Sequence, residues 1–232
     1  MSGVRPVRRH RWDLTPREAI ALQNRMRGNL VLRDGPRNPH LIAGADVAYD
    51  KPSGRCFAAV VVMRAPAMDV VEMSVAERAT SFPYVPGLLT FREGPALLDA
   101  FAKLHTHPDL IMFDGQGYSH PRRFGLASHM GYILDIPSIG CAKSILIGEH
   151  DPLGEARGSF AWMIDWNERI GAAVRTRDST RPIYVSPGHR VGFRAAIRLA
   201  LAAATKYRIP EPTRIADILV ERAKRERVAH SP

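Results

Sequence analysis

The chain has 232 residues, 45% of them hydrophobic, which is ordinary for a globular protein with one sizeable core. We therefore expect a single domain spanning residues 1–232, with basic and flexible ends. The 33 Lys and Arg residues outnumber the 23 Asp and Glu residues. The net charge of +10 favours a polyanionic partner such as nucleic acid, with a generally basic surface as the alternative. No run approaches the roughly 18 apolar residues that cross a membrane, and the two cysteines lack metal-ligand spacing, so we expect a cytoplasmic protein without membrane contact.

The first predicted element is a helix. Thr15 at the N-cap, Pro16 after it and Glu18 three residues beyond Thr15 form a capping-box signature, and the helix is predicted to run to about residue 31. Strands rich in β-branched residues are predicted next, joined by turns short enough for hairpins, at 40–49, 56–64 and 69–80. These three strands predict an antiparallel meander.

Helices and strands alternate in the rest of the chain. A helix is predicted from about residue 92, then a short buried strand at 110–114, and then a loop and helix over 119–135. Further strands are predicted at 136–143, 168–176 and 182–186, a loop at 148–158, and helices at 190–205 and 212–228. This order predicts an α/β fold with a mixed β-sheet flanked by α-helices.

Three carboxylates stand out because of where they lie. Asp46 interrupts the apolar run 41–47, Asp114 ends the buried run 109–114, and Glu93 is predicted in the first turn of a helix. An ionised carboxylate in an apolar strand is costly unless a positive group meets it. If the first and fourth strands are neighbours, both Asp side chains point to one face and the helix places Glu93 beside them. Such a cluster suits hard divalent cations, although each acid alone is more often a strand-end or helix-start residue.

Other side chains indicate how a nucleic acid would be held. Lys143 follows a predicted buried strand and offers a compact cation for a phosphate. His120 and Arg122 lie in a loop whose glycines permit close backbone approach. Tyr84 lies between two prolines, in a stiff turn that presents its ring as a wedge for a base stack. A solvated strand end for Lys143 and a loop-anchoring ring for Tyr84 are the alternatives.

Several longer motifs are also present. They are AGAD (43–46), FPYVPGLLTFREGP (82–95), FDGQG (113–117), SHPRRFGLASH (119–129) and IGCAKS (139–144), together with HRWDL (10–14), VSPGH (185–189) and EPTR (211–214). In this order and over nearly the whole chain, the sequence resembles endonuclease V, the deoxyinosine-directed nuclease family.

The resemblance implies an RNase H-like fold and a DNA repair enzyme that uses Mg²⁺, with Mn²⁺ as a substitute. Its reaction would be hydrolysis of the second phosphodiester bond on the 3′ side of deoxyinosine (hypoxanthine), leaving 3′-hydroxyl and 5′-phosphate ends. Asp46, Glu93 and Asp114 match the family's metal-binding carboxylates, Tyr84 its strand-separating wedge and Lys143 its catalytic lysine. The family's base pocket would fall on Leu89, Gly117, Leu126 and Gly140, with His120 and Arg122 nearby.

Asp217 lies where some family members carry a histidine that helps hold metal-bound water, so it would add a fourth carboxylate here. The alternative is a helix residue outside the metal site. The mechanism we expect is a two-metal displacement in which Asp46 and Asp114 hold the attacking water, Glu93 fixes the second ion and Lys143 offsets developing charge. Two alternatives remain open: an enzyme acting mainly on inosine-containing RNA, and a nucleic-acid-binding module without catalysis. We expect a monomer.

Overall fold

The structure is a computed structural model, and it describes residues 3–229. The outermost residues of the predicted flexible ends lie outside the described part of the chain. The first helix, α1 (Pro16–Met26), begins as predicted: the Thr15 hydroxyl accepts a hydrogen bond from the Glu18 N–H, and the Glu18 carboxylate accepts one from the Thr15 N–H. The helix ends earlier than predicted, because a 3₁₀ turn (Arg27–Asn29) follows it directly.

One eight-stranded mixed sheet forms the centre of the fold, which confirms the predicted architecture. Its strands are β1 (Leu41–Asp50), β2 (Arg55–Arg64), β3 (Asp69–Ala79), β4 (Leu110–Phe113), β5 (Ser138–Ala142), β6 (Phe160–Asp165), β7 (Glu168–Val174) and β8 (Ile183–His189). They lie in the order β3-β2-β1-β4-β5-β8-β7-β6. The meander β1-β2-β3 is antiparallel, as predicted, and β1 pairs in parallel with β4.

Strand β6 was not predicted. It forms an edge of the sheet and pairs only with β7 along its length, so most of its side chains are partly exposed and it lacks the buried run that marks an inner strand. The prediction of a loop at 148–158 is confirmed, except that Glu149 forms an isolated β-bridge with Ile164.

Four further helices cover the two faces of the sheet: α2 (Leu89–Ala102), α3 (Leu126–Leu134), α4 (Phe193–Ala203) and α5 (Glu211–Ala229). Side chains of α2 and α3 pack on one face with Ala43 and Phe113, whereas α4 and α5 pack on the other with Ile42 and Met112. Within the described residues, no helix is both long enough and apolar enough to cross a membrane.

Helix α2 begins at Leu89, whereas the sequence predicted a start near Arg92. Glu93 is therefore in the second turn of the helix and not in the first. The helix contains Pro95 beyond its first turn, although proline favours the first turn of a helix, so this part of the sequence is typical of a later start.

Candidate active site

Asp46 and Asp114 emerge side by side from two neighbouring strands. The parallel register of β1 and β4 extends to Ala45 opposite Phe113, and the Asp114 N–H donates to the Ala45 carbonyl at 3.1 Å. Asp46 directly follows Ala45 and Asp114 directly follows Phe113, so the two aspartates lie side by side on the same face of the sheet. The condition set by the sequence, that the first and fourth strands pair, is met.

Helix α5 adds a third carboxylate next to Asp46 and Asp114. The helix approaches β1 so closely that a Cβ on Gly44 would lie 2.0 Å from the Pro212 carbonyl oxygen, which only glycine allows. Further along the helix, Asp217 offers a carboxylate oxygen within 4.8 Å of those of Asp46 and Asp114. Asp217 had the weakest support from the sequence, yet the fold places it with the two strand aspartates.

The electrostatics of these acids fit a divalent cation. Burial, reinforced by the neighbouring Asp114, raises the pKa of Asp46 to about 8. Burial likewise raises the pKa of Asp114, against the hydrogen bond from Lys143 that lowers it. Clustered carboxylates that resist ionisation regain their charged form when a hard cation binds among them, and oxygen ligands are those that Mg²⁺ prefers. The donor set therefore fits a divalent metal.

Lys143 bridges two of the three acids. Its Nζ lies 2.6 Å from an Asp114 oxygen and 3.1 Å from an Asp217 oxygen. Although burial disfavours the charged form, the hydrogen bond to Asp114 raises the pKa of Lys143 to about 12. The side chain is 43% exposed, so this cation faces both the acids and a molecule arriving from solvent.

Glu93 is placed differently from the other three acids. It is 7% exposed, and its nearest cation is the adjoining Arg92, whose guanidinium lies 3.5 Å away. Burial raises the pKa of Glu93 to about 7, with a smaller contribution from Asp114. Among the described residues, Glu93 lies outside the group of acids whose oxygens meet within 4.8 Å. Its role as a metal ligand therefore stays a prediction.

A cavity of about 290 Å³ opens directly beside the acids. It is lined by Asp114 and Lys143 and by the predicted pocket residues Leu89, His120 and Leu126. Tyr84 stands at its rim with its side chain 69% exposed. The Arg92 guanidinium lies 5.2 Å from the Tyr84 ring and 4.3 Å from the Tyr49 ring, so the exposed tyrosine rests on a fixed base.

The remaining predicted pocket residues, Gly117, Gly140 and Arg122, are not among the residues that line the cavity. A Cβ on Gly140 would lie 2.4 Å from the Gly115 carbonyl oxygen, and one on Gly117 would lie 2.2 Å from that of Pro187. These glycines let the backbone segments pack against one another. Arg122 does not line the cavity; its guanidinium donates to the Gly87 carbonyl at 2.6 Å and fastens the Tyr84 loop.

His120 is held as a neutral ring. Burial, with the adjacent Arg122, lowers the pKa of His120 to about 4. Its Nδ1 accepts from the Arg122 backbone N–H at 3.2 Å, and its Nε2 donates to the Gly87 carbonyl at 2.9 Å. His120 is thus a rigid wall of the cavity rather than a proton donor.

Gln116 received no role from the sequence, although it lies within the FDGQG motif. It lines the cavity, its Nε2 donates to the Ser144 carbonyl at 2.9 Å, and its Oε1 is buried without a partner among the described residues. The signal was a polar side chain between two glycines directly after a buried acid. A buried amide oxygen that lacks a hydrogen bond is a ready acceptor for a ligand.

Comparisons with known proteins identify the family. The family model for endonuclease V matches residues 24–218. The chain belongs to the endonuclease V family. The endonuclease V of Roseiflexus castenholzii is 46% identical over 221 residues, covering 95% of this chain and 99% of that protein.

Solved structures of endonuclease V share the fold. The Streptomyces avermitilis protein has a TM-score of 0.90 at 44% identity, covering 94% of this chain and 96% of its own. The Ciona intestinalis protein, in complex with a 24mer DNA containing an inosine followed by a ribo-adenosine, has a TM-score of 0.77 at 27% identity. That match covers 90% of this chain and 98% of the Ciona chain.

As a member of this nuclease family, the protein is an enzyme, and the family and the acidic cluster together imply dependence on a divalent metal. A binding module without catalysis is therefore set aside.

Proposed function

We propose that this endonuclease V repairs DNA containing deoxyinosine by hydrolysing the second phosphodiester bond on the 3′ side of the lesion, leaving 3′-hydroxyl and 5′-phosphate ends. The observation that carries the proposal is the continuity of the 290 Å³ cavity with Asp114 and Lys143. A cavity of this size suits a single base, and its position next to Asp114 and Lys143 supports a base held close to the acids. The inosine-containing DNA bound by the Ciona relative supports the choice of ligand.

The acids supply the metal site. Asp46, Asp114 and Asp217 would hold one divalent cation, and Glu93 would contribute to a second. We propose Mg²⁺, with Mn²⁺ as a substitute, because all of these ligands are carboxylate oxygens. When bound, the metal makes water a better nucleophile and offsets negative charge on the phosphate.

The chain's own cation completes the site. Lys143 lies among the acids but remains partly exposed, so it can meet the scissile phosphate and offset the charge that develops there. Its raised pKa keeps it protonated throughout the neutral range. It therefore acts as a fixed positive charge and not as a proton donor.

The loop that carries Tyr84 lies at the rim of the cavity, where it would help to bring the base into the cavity. Tyr84 would fill the gap left in the duplex when the inosine leaves the stack. Arg122 and His120 both hold the Gly87 carbonyl, so the Tyr84 loop and the cavity wall form one unit. Hypoxanthine would be held largely by main-chain groups near Leu89, Gly117 and Gly140, with Leu126 against its face.

Inosine-containing RNA is a second candidate substrate. The DNA bound by the Ciona relative contains an inosine followed by a ribo-adenosine, and a ribonucleotide in that ligand supports RNA as a candidate. We further propose that the protein acts as a monomer in the cytoplasm.

The test measures single-turnover cleavage of matched 30mer substrates. One DNA duplex carries inosine, a second is unmodified, and an RNA carries inosine, each with Mg²⁺, Mn²⁺ or EDTA. The proposal expects metal-dependent cleavage of the inosine duplex and none of the unmodified duplex. Asp114→Asn, purified identically, must be inactive, which excludes a contaminating nuclease. Faster cleavage of the inosine RNA than of the inosine duplex would favour RNA as the main substrate. Cleavage of neither inosine substrate would refute both candidates.

A further inference from the structure

The tip of the β6–β7 hairpin carries an unusual residue. Asp165 pairs with Glu168, so the turn consists of Trp166 and Asn167, whose φ angles are 50° and 62°. A two-residue turn with both φ angles positive favours Asn-Gly, because only small or locally hydrogen-bonding residues adopt it without cost. For a bulky tryptophan this left-handed conformation is a strained choice.

Burial does not compensate for this strain. Trp166 is 94% exposed, more than Tyr84 at the rim of the cavity, which is 69% exposed. A large apolar side chain that neither favours its turn nor contributes to the core stabilises nothing in the isolated chain. Strain combined with exposure points to a contact outside the protein.

The hairpin tip is fixed relative to the base pocket. Arg123 lies 2.8 Å from Asp165 and 2.7 Å from Glu168, and the Tyr118 hydroxyl donates to Glu168 at 2.6 Å. Arg123 also donates to the carbonyl of His120, which lines the pocket. Trp166 is therefore held by the same loop that forms the pocket wall.

The charge around the tip favours an anion. Asp165 and Glu168 are both paired with Arg123, whereas Arg169 on β7 and Arg194 on α4 are exposed to solvent. Arg169 lies 4.0 Å over the Trp162 ring, and Arg194 lies 5.6 Å from it. Interleaved arginines and aromatic rings are typical of surfaces that bind nucleic acid, where rings stack on bases and arginines meet phosphates.

We propose that Trp166 is a nucleic-acid contact outside the base pocket. Its indole stacks on an unpaired or frayed base of the substrate strand, while Arg169 meets a neighbouring phosphate. This inference rests on the proposed function, because it adds a second point of contact to the same bound substrate. It extends the recognised length of nucleic acid beyond the lesion and the nick.

The first experiment measures binding of a fluorescently labelled inosine duplex by anisotropy in EDTA, so that no cleavage occurs. Trp166→Ala should bind about 10-fold more weakly, the effect of losing one base-stacking contact. Trp166→Phe, which keeps a ring, should recover most of this loss. Met73→Ala is the matched control, because Met73 is 54% exposed on β3 at the far edge of the sheet; it should bind like the wild type.

The second experiment shortens the duplex one nucleotide at a time on either side of the inosine. At the length where the contacted base is removed, wild-type affinity should fall to that of Trp166→Ala, while the affinity of the variant does not change. A constant ratio between the two proteins at every length would overturn the inference, as would equal binding of Trp166→Ala and wild type to the full duplex.

The role of Trp166 and the proposed function can be refuted separately. Wild-type protein that cuts the inosine duplex with metal, alongside a Trp166→Ala variant of equal affinity, refutes only the role of Trp166. Wild-type protein that neither binds nor cuts the duplex refutes the proposed function and this inference together.

Discussion

Replacing Asp46 by Asn should stabilise the metal-free protein while abolishing its activity. Burial and the neighbouring Asp114 raise the pKa of Asp46 from 3.8 to about 8. Because the folded-state value lies above the unfolded-state value, the stability linked to this group is complete below about pH 4 and is lost as the pH rises toward 8. The asparagine has the same shape and no charge to bury.

The size of the effect follows from the pKa difference. One pKa unit corresponds to about 1.4 kcal/mol, so at pH 7 the cost linked to Asp46 has an upper limit of about 4 kcal/mol. Asp46 and Asp114 can share one proton, so we expect roughly half of this limit, about 2 kcal/mol. For a chain of this length, that corresponds to a rise in melting temperature of about 4–8 °C.

The assay is thermal unfolding in EDTA at pH 5, 7 and 8.5. The Asp46→Asn advantage should be about 2 °C at pH 5 and grow with pH, because the wild-type carboxyl is increasingly ionised. Asp69→Asn, at an exposed strand end, is the control and should change little at any pH. Adding Mg²⁺ should stabilise the wild type far more than Asp46→Asn. A variant that melts below the wild type in EDTA at pH 8.5 would refute the reasoning.

Three further outcomes are expected. Lys143→Met should lower the single-turnover cleavage rate by about 10²–10³-fold, because a charge-stabilising group is lost, and an unchanged rate would remove the lysine from the chemistry. Tyr84→Ala should reduce the binding preference for inosine over unmodified duplex about 10-fold, whereas Tyr84→Phe should retain it; equal weakening on both duplexes would contradict a wedge. Gly140→Ala should lower the free energy of unfolding, measured with urea, by about 2 kcal/mol, because its Cβ would meet the Gly115 carbonyl.

Short sequence patterns predicted the structure correctly where a residue type has one strong physical preference. Thr15 and Glu18 predicted the start of α1 because a capping box satisfies two backbone donors that the helix leaves free. Asp46 and Asp114 predicted the acidic site because ionised side chains in apolar strands require compensation. The two aspartates come together only because β1 pairs with β4, a pairing that the sequence alone did not establish.

Other features depended on tertiary contacts that leave little trace in the sequence. Edge strand β6 lacks a buried apolar run and was missed. Asp217 reaches the acids only because α5 packs onto Gly44, a contact between distant parts of the chain. Glu93 was expected with the other acids; among the described residues it lies outside their 4.8 Å group, and its role as a metal ligand stays a prediction. The strain at Trp166 becomes visible only when the two-residue turn is known.

The central claim is that the cavity places an inosine so that the acids reach a defined bond, and mapping the nick tests it most directly. A duplex with a single inosine, labelled at either end of the damaged strand, would be cut with Mg²⁺ and its fragments analysed by mass spectrometry. The account predicts one cut, at the second phosphodiester bond on the 3′ side, with a 3′-hydroxyl on one fragment and a 5′-phosphate on the other. Cuts at several positions, or at the same position in the unmodified duplex, would contradict it.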